Sequence, residues 1–131
     1  MTQRVVAWVL GGGLISVAVL MLISPATWYD KHPGVADHGP LNEHFVRDIA
    51  CANLVAGAAI VFAVLIPNQA RVLLAGATAF LFLHASIHFA EWLLDHGHSP
   101  ATLGEATTVY LPVLLSAWLL ATASSPVEGV D

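Results

Sequence analysis

Four apolar stretches run through this chain: Val5 to Ile23, Ile49 to Ile66, Val72 to Leu94 and Thr107 to Ala123. Each is close to the ~20 residues a helix needs to cross a hydrocarbon core ~30 Å thick. Hydrocarbon offers no partner to a backbone amide, so a segment inside it must bond to itself as a helix or close into a barrel. None of the four shows the period-2 alternation of a barrel strand. The expected fold is therefore all-α, an integral membrane four-helix bundle forming a single domain, with helices over about 5–24, 43–66, 71–94 and 105–123. Pro67-Asn68-Gln69 has room only for a tight turn, which makes the second and third spans an antiparallel hairpin. A long first loop and a medium third loop complete an up-down-up-down order.

Composition supports the lipid environment and narrows the functions. The chain is 57% hydrophobic and only 10% charged, far from the balance of water-soluble domains. A formal net charge of -5 with four Lys plus Arg gives no cationic surface for phosphates, so nucleic acid is not an expected partner. Cys51 is the single cysteine, which excludes an internal disulfide and a Cys-x-x-Cys motif. Arg4 precedes an apolar run, but that run exceeds a secretory h-region and no Ala-x-Ala site follows it, so a retained first helix is expected. Arg4 and Arg71 share one side with both termini. The positive-inside rule places that side in the cytoplasm of a cell (plasma) membrane, with Lys31 opposing it from the other side.

The polar residues are distributed unevenly. All seven histidines, His32, His38, His44, His84, His88, His96 and His98, fall in the half of the bundle that holds the first and third loops. In the third span His84, His88 and Glu91 recur at i, i+4 and i+7, within roughly 60° of one another on a helix. In the second span Asn42 is a fitting N-cap, with Glu43 at the positive end of the helix dipole. His44, Asp48 and Cys51 then repeat the same spacing, with Arg47 beside them. Antiparallel packing brings Arg47 and Asp48 to about the depth of His88 and Glu91. Arg47 is expected to pair with Glu91 or Asp48, and His44 with His88 or His84.

Ionisable groups are costly in a membrane and point to function by default. Two imidazoles one turn apart with a carboxylate on the same face can ligate copper, zinc or iron. The first expectation is a transition metal ion held by His44, His84, His88 and Glu91, with Asp48 and Arg47 orienting an imidazole and balancing charge, as in an oxidoreductase. The second is a metal-free enzyme in which Glu91, Asp48 and Arg47 perform acid–base work on a lipophilic small molecule. A haem protein, and a structural subunit whose polar stripe pairs helices within a homo-oligomer or with a membrane partner, are further alternatives. His32, His38, His96 and His98 read as solvated loop residues, and the tryptophans and tyrosines near helix ends as interfacial anchors. Gly57, Gly76 and the alanines of the second and third spans read as packing positions, while Gly11 to Gly13 read as a loosening of the first helix.

The block Pro33-Gly-Val-Ala-Asp-His-Gly-Pro-Leu-Asn-Glu-His-Phe-Val-Arg-Asp-Ile-Ala50, followed by an apolar helix and then His84-x3-His88-x2-Glu91, resembles small bacterial four-helix membrane proteins similar to the DoxX-like group. The resemblance implies a four-helix bundle and a link to redox or small-molecule chemistry. It carries no catalytic residues over to this chain.

Overall fold

A computed structural model describes residues 1–32, 35–94 and 106–123. All elements in them are helical: α1 (Thr2–Ile23), α2 (Pro25–Lys31), α3 (Glu43–Leu65), α4 (Ala70–Leu94) and α5 (Leu111–Thr122). Single 3-10 turns occupy Val35–His38 and Pro67–Gln69, and a π turn over Ala106–Tyr110 leads into α5. His96 and His98 lie outside the described residues.

Thr2–Ile23, Glu43–Leu65 and Pro67–Leu94, of 22, 23 and 28 residues, are long and apolar enough to cross a membrane. The fourth expected span differs, because Ala106–Thr122 is apolar but shorter. Pro112 accounts for its irregular start. Proline has no N–H and its ring crowds the carbonyl four residues earlier, so the preceding turn widens from α to π geometry.

α1 packs most extensively on α3, α3 on α4, and α4 on α5, while a smaller α1–α5 contact closes the group. Its interior mixes alanines with leucine and isoleucine. Ala7, Ala56, Ala63 and Ala77 pack with Ile60, Leu74, Leu81 and Leu119. Large apolar side chains also cover the outside, including Val9 (71% exposed), Val55 (70%), Val72 (78%) and Leu83 (64%). Only 28%, 28% and 22% of the most apolar windows of the three long helices are buried inside the protein. Such an outer surface far exceeds the apolar patches that water-soluble monomers display. Small residues at the helix crossings, among them Ala56, Gly57 and Ala77, let the backbones approach closely, as in helices that pack in lipid.

The closest approach is between α1 and α3. Gly11 and Gly57 are both buried, and a Cβ on either would stand 2.8 Å from the other's carbonyl oxygen. Gly11 therefore serves the helix crossing and does not loosen α1. Gly12 and Gly13 would meet nothing within 4 Å.

Local signals set the ends of α3. The Asn42 side chain accepts a hydrogen bond from the Phe45 amide at 3.1 Å, closing the N-terminus as its residue type predicts. After Ile66, the turn Pro67–Gln69 reverses the chain directly into α4. Between α1 and α3, Pro25 opens α2 at a position where its missing amide costs nothing. α2 carries Trp28 against a second cluster of Met21, Val46 and Ala50. The Tyr29 hydroxyl donates to the Gly39 carbonyl at 2.6 Å, and Gly39 adopts a φ of 121°, which favours glycine.

Candidate functional site

His84 and His88 meet on α4. Their rings lie edge to face with centroids 4.9 Å apart, and both residues are partly buried. Phe80, one turn before, stacks on His84 at 5.9 Å with an interplanar angle of 18°. The i, i+4 spacing produces this ladder, since residues four apart lie one above the other on a helix face. Glu91 stands a turn beyond His88 on the same helix. Two of the four expected metal ligands are thus in contact and a third is on the same face.

The α3 stripe is arranged differently from expectation. His44 approaches Asp48 at 3.5 Å, with side chains 90% and 62% exposed. Arg47 binds Glu43 at 3.0 Å, and its Nε donates to the Leu22 carbonyl at 3.4 Å. The expected pairings of Arg47 with Glu91 or Asp48, and of His44 with His84 or His88, are replaced by these. In each case a partner four residues away on the same helix is nearer than one across the bundle. Arg47 also meets an unsatisfied carbonyl of the last turn of α1, where a cation is favoured. Among the described residues, no three histidine, cysteine, aspartate or glutamate side chains gather closely enough to hold a metal ion as they stand.

A groove that the sequence does not announce lies beside these stripes. Between α3 and α4 lies an open apolar cleft of about 540 Å³, with Cys51, Ala52 and Ala59 on one wall and Val72, Gly76 and Phe80 on the other. The small residues that read only as packing positions make this space, because Ala52, Ala59 and Gly76 withdraw side-chain bulk where the two helices run side by side. The signal lay in the phase of the stripes. Cys51 continues the His44–Asp48 face of α3 and Phe80 begins the His84–His88 face of α4, so both polar stripes lead into the same cleft. Cys51 is a free and exposed thiol at that junction.

Farther out, His32 stacks on Trp28 with centroids 5.1 Å apart and an interplanar angle of 20°. Partial burial holds the His32 imidazole below its usual range, because desolvation disfavours the charged ring. No known protein family, curated protein or solved structure matches this chain.

Proposed function

We propose that the chain is a four-helix transmembrane protein of the cell membrane, with both termini cytoplasmic, that holds a transition metal ion on α4 through His84 and His88, with Glu91 contributing charge and a third donor. The observation carrying this reading is the direct contact of the two imidazoles, 4.9 Å between centroids, within a helix long and apolar enough to span a membrane. Two histidines one helical turn apart can present nitrogens to one ion, as in zinc-binding helices. Lipid makes such groups costly unless something engages them. Copper or iron at this position would support one-electron chemistry, and zinc would not.

Asp48 and Arg47 stand on α3, one turn before Ala52 and Cys51 of the cleft wall. There they balance charge and orient an incoming group.

A metal count on detergent-purified protein, expressed with copper, iron and zinc in supply, tests the reading. Stoichiometric metal that disappears in a His84→Ala/His88→Ala variant is the expected result. Protein that carries none under those conditions ends it.

A further inference from the structure

His44 and Asp48 stand apart from the α4 ladder, and their spacing suits a single cation. The His44 Nε2 and the Asp48 Oδ2 are 3.5 Å apart. A tetrahedral ion bound at about 2.0–2.1 Å to an imidazole nitrogen and a carboxylate oxygen holds those two donors about 3.4 Å apart. The pair is therefore already set to the bite of such an ion, by two residues one turn apart on one face of α3. Both side chains are exposed, at 90% and 62%, so water has access to the remaining coordination positions. Two protein donors completed by exchangeable waters hold an ion weakly and release it readily, unlike a closed site of four protein ligands.

The charge around the pair favours a cation. Among the described residues, the end of the bundle that carries it holds Asp30, Asp37, Glu43, Asp48 and Glu91 against Lys31 and Arg47. That acidic surplus outweighs the roughly half charge at the N-terminus of α3. Arg47, the cation nearest in sequence, is held by Glu43 and by the Leu22 carbonyl. A surface with one dominant sign concentrates counter-ions and speeds their arrival, an effect that salt screens.

Depth connects the pair to α4. Asp48 and His88 lie equally far along the chain from Asn68, in the middle of the Pro67–Gln69 turn, and so stand at one level of the antiparallel hairpin. The same count matches Ala56 with Phe80, which do line one cleft. Axes of packed helices are about 8–10 Å apart, and α3 packs on α4. One interhelical step thus separates the exposed pair from the ladder.

We propose that His44 and Asp48 form an exposed docking site for a divalent transition metal ion, which passes the ion to His84 and His88 across the α3–α4 seam. Docking stands on the geometry of the pair itself, and the hand-over rests on the metal reading above. The docked ion is too labile to survive purification, so the pair governs how fast α4 loads and not how much metal it retains.

Docking is tested on the full chain in detergent, by modifying histidines with diethyl pyrocarbonate at increasing zinc and reading each site by peptide mass spectrometry. Zinc should protect His44 saturably, in the wild type and equally in a His84→Ala/His88→Ala variant. Asp48→Asn leaves the imidazole in place and should raise the zinc needed about tenfold. Both positions are exposed, so the replacements leave the core intact. Protection of His44 that is absent, or that is the same in Asp48→Asn, overturns the docking site.

The hand-over is tested by mixing metal-free protein rapidly with zinc, stopping with excess chelator and counting the metal retained. His44→Ala should slow loading about tenfold while reaching the same final content, and wild-type loading should slow in added salt. Equal rates in the two proteins overturn the hand-over. Protected His44 in protein that retains no metal upholds docking while ending the α4 reading and the hand-over with it. Metal retained through His84 and His88 with His44 unprotected does the reverse.

Discussion

Gly11 on α1 and Gly57 on α3 face each other reciprocally, each presenting the place where a side chain would begin to the other's carbonyl oxygen at 2.8 Å. Gly57 would also bring a Cβ to 3.0 Å from the Leu14 Cβ, so relief requires the two helices to separate. Gly57→Ala is expected to destabilise the protein by about 1–3 kcal/mol, the usual cost of overpacking a tight contact. Gly13→Ala, which meets nothing within 4 Å, should be neutral or stabilising by about 0.5 kcal/mol. Thermal unfolding in detergent compares them, and equal losses for the two would contradict the crossing.

Asn42 closes the first turn of α3 through its bond to the Phe45 amide. Asn42→Ala should cost about 1 kcal/mol, and Asn42→Asp should restore most of it. Hydrogen exchange of the amides at 44–46 is the direct measurement. Unchanged protection in the alanine variant would show that the cap is not what holds that turn.

The His44–Asp48 and His84–His88 pairs should behave differently toward metal. His44 has a side chain 90% exposed and its partner is Asp48, so His44→Ala should leave the metal content of purified protein unchanged. His84→Ala should remove it, and Glu91→Gln should weaken affinity on the order of 10–100-fold. Competition titration with a chromophoric chelator reads all three. A His44→Ala loss as large as that of His84→Ala would return His44 to the ligand set and require α3 and α4 to close on the ion.

Acid should loosen the α2 segment. Burial keeps His32 below its ordinary value of 6.5 in the folded protein, so as pH falls through that value the unfolded chain takes up a proton that the folded chain refuses. Stability is therefore full above the unfolded value and declines as pH drops toward the folded one. Melting temperature measured from about pH 8 to about pH 5 should fall in the acidic part of the range. His32→Phe should flatten that fall while keeping the stack on Trp28. An unaltered profile in the variant would assign the acid sensitivity to another group.

Much of this architecture was legible because each signal was local. Hydropathy located the long helices, Asn42 announced the start of α3, and Pro67 marked the turn into α4. The one-turn spacing of His84 and His88 sufficed to predict their shared face. What escaped depended on partners distant in the chain. α2 is only 7 residues long, too short to hold by itself, and it exists because Trp28 docks on Met21 and Val46. Gly11 looked like a flexible point until Gly57 stood opposite. The pairing of His44 with Asp48 and of Arg47 with Glu43 followed from near neighbours on their own helix, which spacing between helices could not reveal. The cleft likewise needed two walls, and each wall alone reads as ordinary alanine-rich packing.

The division between a slender Gly/Ala seam and a bulky aliphatic exterior has an engineering consequence. The buried contacts among these helices and the most exposed aliphatic positions are different residues. Replacing outward positions such as Val9, Val55, Val72 and Leu83 with glutamate, lysine or glutamine, while leaving the seam untouched, offers a route to an aqueous form of the same bundle in which the imidazole ladder could be titrated without detergent.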